Sequence, residues 1–248
     1  MPQRRELHDH YFRKAKSEGY AARSAYKLLE IQERRRVLHP GDRVLDLGCA
    51  PGSWLQVAAR IVGPRGVVLG IDLLPVSLDL PPHVHTFVAD AFDVRPESLL
   101  ETPDAPRFDT LLSDMAPSTT GDPGGDHFRS VALCRRVLAL APALLAPGGC
   151  LVMKVFEGEQ YPALLRETQR AFADAKGLKP DATRDVSREM FIIARGFQAR
   201  QAPTRPAPTR PARGGPPAPP PGWGESPAAP SNPPPKSPSR RKGTRRDA

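Results

Sequence analysis

One lysine stands inside a run of residues that is otherwise typical of a buried β-strand. The run is CLVMKVF, residues 150–156, and the lysine is Lys154. Burying an ammonium group without a partner costs several kcal/mol. Lys154 is therefore either a side chain that reaches the surface along its own apolar stem or a residue with a chemical task.

Carboxylates follow three other strand-like runs. Asp72 ends VVLGID (67–72), Asp90 follows VHTFVA (84–89) and Asp114 follows FDTLLS (108–113). In open α/β sheets, ligands bind beyond the carboxyl ends of the strands. Asp72 is placed to accept both hydroxyls of a ribose, and Asp90 to read an adenine amino group. Three acids in register favour a nucleoside cofactor at this edge.

A glycine turn precedes these acids in the chain. In DLGCAPGSW, residues 46–54, Gly48 and Gly52 bracket the passage from a first strand to a helix. A missing Cβ lets a ligand approach the backbone closely. The G-x-x-x-G spacing, with a proline inside it, differs from the G-x-G-x-x-G fingerprint of dinucleotide-binding proteins. Trp54 lies one helical step beyond the turn and is either a cofactor contact or a core residue.

The elements that would position these residues alternate along the chain. Strand-like runs at 43–47, 67–72, 84–89, 108–113, 150–156 and 189–197 are separated by helix-like stretches at 53–62, 127–146 and 160–175, and a helix at 20–36 leads in. The strand runs lack strict alternation of polar and apolar residues, as expected for strands covered on both faces. The pattern predicts an α/β doubly wound sheet, and residues 146–149 (APGG) predict the end of the long helix.

Composition bounds the class of protein. No apolar run approaches the roughly 18–20 residues that cross a bilayer, and the polar N-terminus predicts no signal peptide. We therefore expect a cytoplasmic protein without a membrane partner. The three cysteines are widely spaced, which suggests neither a disulfide framework nor a zinc site.

Both ends of the chain are basic. The formal net charge is +9. Residues 1–36 carry ten Lys/Arg against five acids, and residues 201–248 carry nine against two, together with 15 of the 31 prolines. The predicted organisation is a basic N-terminal segment and helix (1–36), a core (37–198) and a disordered Pro-rich basic tail (199–248). Two basic flanks favour a polyanionic partner.

Six ordered motifs narrow the class. GYAARSAYKLLEI (19–31), DLGCAPGSW, GIDLLP (70–75), SDMAPSTTG (113–121), GGCLVMKVFEG (148–158) and SREMFIIARGF (187–197) are present in this order. In order and spacing they resemble the FtsJ/RrmJ family of RNA ribose 2′-O-methyltransferases, over about residues 11–198. The resemblance implies a Rossmann-like class I fold that binds S-adenosylmethionine, with a mostly parallel sheet flanked by helices.

The resemblance also implies roles for individual residues. A Lys-Asp-Lys-Glu tetrad falls on Lys27, Asp114, Lys154 and Glu189, and cofactor contacts fall on Gly48, Gly52, Trp54, Asp72, Asp90 and Asp114. Where the family usually has Ala or Gly, this chain has Cys49 and Ser53. Without the motifs, Lys27 would read as a solvated charge and Glu189 as an edge residue. Bacterial members of the family methylate a uridine of large-subunit (23S) rRNA in the 50S particle, which is the substrate we expect here, for an enzyme that is a monomer, does not act on DNA and needs no metal.

The chemistry gives Lys154 two possible tasks. A ribose hydroxyl is a poor nucleophile until its proton is drawn away, and a lysine with a pKa of about 10.4 is a poor base near neutrality. Burial lowers that pKa and a neighbouring carboxylate raises it. A neutral Lys154 would accept the proton, the task favoured here, whereas a charged one would orient the oxygen and stabilise its developing charge.

Other functions stay open on the residues alone. The family also modifies transfer RNA and messenger caps, and a non-catalytic ribosome-assembly factor could keep the fold. An intact tetrad argues against the second, and the glycine spacing argues against a dinucleotide-dependent oxidoreductase. The basic tail is either an RNA tether or a solubilising extension.

Overall fold

The structure is a computed structural model that describes residues 11, 13–100, 105–118, 121–181 and 188–199. The tail predicted at 199–248 lies outside the described residues from position 200 onward. In chain order the elements are α1 (Ala25–Arg35), β1 (Arg43–Leu47), α2 (Ser53–Val62), β2 (Val67–Asp72), β3 (Val84–Val88), a 3₁₀ helix (Pro96–Leu99), β4 (Phe108–Ser113), α3 (Pro123–Leu144), β5 (Leu145–Phe156), α4 (Tyr161–Ala171), β6 (Phe172–Leu178) and β7 (Glu189–Phe197). A helical stretch at 13–17 precedes them.

The strands form one sheet in the order β3-β2-β1-β4-β5-β7-β6. Strands β1 to β5 are parallel to one another, whereas β7 runs antiparallel to both β5 and β6. Strands β2 and β3 lie on one side of β1, and β4 and β5 lie on the other side. This reversal of strand order creates a crevice beyond the carboxyl ends of β1 and β4.

Helices cover both faces of the sheet. On one face, α1 and α2 bury residues such as Leu28, Ile31 and Leu55 against the sheet. On the other face, α3 and α4 bury residues such as Val137 and Leu164. Full burial of one such side chain contributes about 1.5–3 kcal/mol. The α/β doubly wound prediction is confirmed, with helices that fix the strand ends from both sides.

Most predicted elements are present, with shifted ends. Helix α3 begins at Pro123, four residues before the predicted start, because the Asp122 side chain accepts hydrogen bonds from the Gly124 and Gly125 amides and caps it. Its end at Leu144 is close to prediction. Residues 146–149, expected to end the helix, instead interrupt the start of β5, where the register to β4 shifts.

Strand β6 was not predicted. The stretch 160–175 reads as helix, but helix α4 ends at Ala171 and residues from Phe172 onward pair with β7. The rings of Phe172 and Phe197 are 5.2 Å apart across this pair. Helix-favouring residues form a strand here because cross-strand packing overrides local propensity.

The described residues include neither a membrane-spanning helix nor a metal-binding cluster. None of their helices is both long and apolar enough to cross a membrane. Within the same residues, histidine, cysteine and acidic side chains form no group of three or more suited to a metal ion.

Candidate active site

Strand register brings Asp114 and Lys154 to the same edge and face of the sheet. Leu112 of β4 pairs with Val152 of β5, and both belong to the core beneath α1 and α2. Side chains two residues apart in a strand share a face, so the next positions on this face are Asp114 and Lys154. Both lie at the carboxyl end of the sheet, as the sequence predicted.

Lys154 is buried against Asp114. Its ammonium nitrogen donates to the Asp114 carbonyl oxygen at 2.5 Å and lies 2.9 Å from Asp114 Oδ1, and the lysine side chain is 7 % exposed. Oδ1 is buried and outside hydrogen-bond geometry, so this second contact is an ion pair. Desolvation offsets most of the attraction in a buried ion pair. A pair that adds little stability is better explained by what it positions.

Lys27 and Glu189 form a second pair. Lys27 Nζ donates to Glu189 Oε2 at 2.6 Å, with the lysine side chain 8 % exposed. Glu189 begins β7 two residues before Phe191, the register partner of Lys154, so it lies on the same face as Lys154. The Lys27 ammonium is also 5.8 Å from the Phe191 ring centre. The four tetrad positions are thus two lysine–carboxylate pairs, one across β4 and β5 and one between α1 and β7.

The two glycines of the turn have backbone conformations that other residues rarely adopt. Gly48 has φ +82° and Gly52 has φ +110°. A Cβ at Gly48 would lie 2.9 Å from the Met115 backbone, and a Cβ at Gly52 would lie 2.5 Å from Leu78 Cδ1. Gly48 therefore packs closely against the chain that follows β4, next to Asp114, and Gly52 packs against the chain that follows β2. A side chain at either position would have to displace these neighbours.

Asp72 and Asp90 both organise backbone at the strand ends. Asp72 accepts the Ala50 amide through Oδ2 and the Leu74 amide through Oδ1, each at 2.9 Å. Asp90 Oδ1 accepts the Phe92 amide at 2.9 Å. A carboxylate oxygen has two acceptor sites, so the Asp72 oxygens can hold the turn and still accept ribose hydroxyls.

Asp46 is a candidate that sequence reasoning missed. It is fully buried in β1, and neither carboxylate oxygen has a hydrogen-bond partner. Burial, together with the nearby charges of Asp114 and Asp72, raises the pKa of Asp46 to about 8. The available signal was an acid between Leu45 and Leu47 in a strand whose neighbours also end in acids.

The Trp54 side chain is buried and contacts other parts of the protein. Its side chain is 2 % exposed, and its indole N–H donates to the Ser24 carbonyl at 2.9 Å. The ring packs 5.8 Å from Phe191, and the Ser24 and Ser53 hydroxyls hydrogen-bond at 2.7 Å beside it. The predicted cofactor contact of Trp54 stays a prediction. Trp54 fastens α1, which carries Lys27, to α2.

The acids around the glycine turn fit a cationic ligand. The charges of Asp114 and Asp72 raise the pKa of Asp46 in addition to its burial, and in the described residues Asp46 and Asp114 leave buried oxygens without hydrogen bonds. A sulfonium or ammonium group nearby would offset the cost of ionising these acids. This strand order, with the glycine turn after β1 and the acids after β2 and β4, defines a Rossmann-like class I S-adenosylmethionine-dependent methyltransferase fold.

Comparison with known proteins gives the family. The FtsJ-like methyltransferase family profile matches residues 20–197. The chain belongs to the FtsJ-like methyltransferase family, and the predicted resemblance is confirmed.

Relatives and solved structures agree with this assignment. The chain is 45% identical over 185 residues to a ribosomal RNA large subunit methyltransferase E from Desulfatibacillum aliphaticivorans, covering 75% of this chain and 88% of the relative. The chain is 47% identical over 196 residues to the protein of the same name from Syntrophobacter fumaroxidans, covering 79% of this chain and 98% of the relative. A crystal structure assigned as a ribosomal RNA methyltransferase from Plasmodium falciparum has a TM-score of 0.63 at 26% identity, covering 72% of this chain and 98% of the other. Aeropyrum pernix fibrillarin, solved with bound S-adenosyl-L-methionine, shares the fold with a TM-score of 0.50 at 22% identity, covering 67% and 71%.

Proposed function

We propose that this protein transfers a methyl group from S-adenosylmethionine to the 2′-hydroxyl of a ribose in RNA, namely a uridine of 23S rRNA in the 50S particle. Membership of the FtsJ-like methyltransferase family supports the reaction. Relatives named for the large ribosomal subunit support the substrate. The observation that carries the proposal is the buried Lys154–Asp114 pair beside the glycine turn.

Lys154 is the residue proposed to act on the attacking oxygen. The sulfonium of the cofactor supplies an activated methyl group, so the protein must align and activate the hydroxyl. Alignment of a bound pair can contribute about 7–11 kcal/mol, and positioned proton transfer about 10²- to 10⁴-fold. The Lys154 nitrogen donates to the Asp114 carbonyl oxygen and lies beside the Asp114 carboxylate. As an ammonium group, Lys154 orients the hydroxyl oxygen; as a free amine, it accepts the hydroxyl proton.

Lys27 and Glu189 are proposed to orient the target nucleotide. Glu189 holds the Lys27 ammonium at the edge of the cleft, where the lysine can contact the ribose or its phosphate. Lysine is a common phosphate ligand and acts as a point charge. The pair therefore adds substrate alignment to the activation proposed for Lys154.

The cofactor is proposed to bind across the carboxyl ends of β1, β2 and β3. It approaches the backbone of the tight turn formed by Gly48 and Gly52, and Asp72 accepts its ribose hydroxyls. Asp90 accepts from its adenine amino group. Asp114 faces the methionine part as well as Lys154, so one carboxylate links the two halves of the site.

The basic flanks are proposed to contact the RNA backbone. Residues 1–36 and 201–248 carry most of the net positive charge, and cations that neutralise phosphates release counterions. A 2′-hydroxyl target requires RNA, and a nucleotide in an accessible loop suits a cleft of this kind. We propose a cytoplasmic, monomeric enzyme in which residues 1–36 and the core at 37–198 together form the catalytic domain and the tail tethers RNA.

The decisive experiment uses labelled S-adenosylmethionine and 50S subunits from cells that lack the enzyme. We expect one labelled uridine 2′-O-methyl group, located by nuclease mapping, and no label with Lys154→Met. Label in transfer RNA alone would favour the tRNA alternative. Binding to 50S subunits without any labelling would favour a non-catalytic assembly factor. Full activity of Lys154→Met would refute the assigned role of the lysine.

A further inference from the structure

Strand β5 extends beyond the end of its neighbour β4. The last register pair between them is Ser113 with Met153, whereas β5 continues to Phe156. The backbone groups of successive residues point to opposite edges of a strand. Over its last residues, β5 therefore still pairs with β7 on one edge, whereas on the other edge the described residues provide no partner strand. A buried backbone group left without a hydrogen bond costs about 1–3 kcal/mol.

Three side chains of helix α3 form hydrogen bonds with the backbone groups at this edge of β5. Cys134 Sγ donates to the Lys154 carbonyl at 3.0 Å, and the Phe156 amide donates to Ser130 Oγ at 3.0 Å. His127 Nδ1 donates to the Phe156 carbonyl at 2.7 Å. The spacing of the three residues, three and then four apart, places them on one face of the helix. Side chains thus take the place of a missing strand.

His127 also holds the turn that follows β5. Because a carbonyl can only accept, Nδ1 carries the proton, and Nε2 accepts the Gln160 amide at 3.0 Å. The imidazole is therefore neutral, with both nitrogens engaged and 2 % of the residue exposed. Gly158 passes so close to the ring that a Cβ there would lie 2.6 Å from it. The turn at 156–160 is built around this histidine.

Lys154 is consequently held from both ends. Its side chain is bound to Asp114, and its own carbonyl is bound by the Cys134 thiol. Burial raises the pKa of Cys134 to about 12, so the thiol remains a donor at neutral pH. Displacing the end of β5 would move the lysine relative to both Asp114 and the facing strand β7.

We propose that His127, Ser130 and Cys134 are positioning residues for methyl transfer. They bind the edge of β5 that a longer β4 would otherwise pair with, and so hold the end of β5 in place. This inference rests on the proposed catalytic role of Lys154. A misplacement of about 1 Å in a reacting group can lower a rate about 10²-fold. The three side chains act on the rate through Lys154 and do not themselves contact the ribose.

The test compares variants that remove or retain each hydrogen bond. Ser130→Ala and Cys134→Ala remove one bond each, Cys134→Ser keeps a donor, and His127→Asn keeps the Nδ1-type donor. The matched control is Thr168→Val, which removes a buried hydroxyl that donates within α4 to Leu164. For each variant we would measure the single-turnover rate on undermethylated 50S subunits, the KM for S-adenosylmethionine and the thermal midpoint.

We expect Ser130→Ala to lower the single-turnover rate about 10- to 100-fold, the range seen when the supporting partners of reactive groups are removed. The KM for S-adenosylmethionine should change less than about threefold and the thermal midpoint no more than in Thr168→Val. Cys134→Ser should keep a higher rate than Cys134→Ala, and His127→Asn a higher rate than His127→Leu. If the rates follow only the loss of thermal stability, the residues are merely structural and the inference is wrong.

Lys154→Met, measured in parallel, separates the two proposals. If it is inactive while Ser130→Ala matches Thr168→Val, the positioning inference fails and the proposed function stands. If it retains the full rate, the proposed role of Lys154 fails and the positioning inference fails with it. In a Lys154→Met background, Ser130→Ala should lower any residual rate no further, because the group that it positions is absent.

Discussion

Replacing Asp46 by asparagine should remove a large pH dependence from the stability of the fold. Asp46 is fully buried without hydrogen-bond partners, and burial raises its pKa to about 8. The unfolded chain titrates this group near pH 3.9. Between these values the folded protein keeps Asp46 protonated while the unfolded chain ionises it.

The sign and size of the effect follow from this difference. Because the folded pKa is raised, the stabilising contribution is complete below the unfolded pKa and is lost as the pH rises toward the folded value. Each pH unit in this window changes the free energy of unfolding by about 1.4 kcal/mol. From about pH 5 to pH 7, Asp46 should therefore lower the stability by about 3 kcal/mol, and Asp46→Asn should not show this loss.

Urea unfolding followed by circular dichroism measures this directly. The difference in free energy of unfolding between Asp46→Asn and the wild-type chain should grow in favour of the variant by about 3 kcal/mol between about pH 5 and pH 7, and level off above about pH 8. Asp79→Asn, at an exposed position, controls for the loss of one carboxyl group. Parallel curves for Asp46→Asn and wild type would refute the burial argument.

A second measurement connects Asp46 to the proposed cofactor. A cation bound near the carboxyl group favours its ionised form, so S-adenosylmethionine binding near pH 7 should release protons, approaching one per site. Calorimetry in buffers of different ionisation enthalpy counts them. Release that persists unchanged in Asp46→Asn would show that another group titrates on binding.

Three further predictions follow from the site and the flanks. Gly52→Ala should weaken S-adenosylmethionine binding at least about tenfold by calorimetry. The control is Gly63→Ala, also at positive φ but with open space around it, which should bind as the wild type does. Equal affinities of the two variants would refute the argument from close packing of the turn. Lys27→Gln and Glu189→Gln should each lower turnover, and the double variant should lose less than the two single losses combined; simple additivity would mean that the pair does not act together. Deletion of 201–248 should reduce the salt dependence of RNA binding, as read from the slope of log affinity against log salt; an unchanged slope would leave the tail a solubilising extension.

Local sequence was sufficient for the class of fold and for the part of the site that lies in continuous motifs. The five parallel strands, helix α2 and the glycine turn each follow from residues that are adjacent in the chain. Lys154 was identifiable because a charge inside an apolar strand is costly wherever that strand packs. The same reasoning failed for β6, whose residues favour a helix until β7 lies beside them.

Sequence by itself thus determined the order of the elements apart from β6, the position of the crevice and the residue types gathered there. Only the tertiary structure decided the pairing: which lysine faces which acid, that Asp46 is wholly buried, that Trp54 belongs to the core, and that α3 holds the end of β5. These contacts join residues up to 162 positions apart. They depend on strand register and helix packing, which are set by the whole core at once and leave no mark in a local pattern.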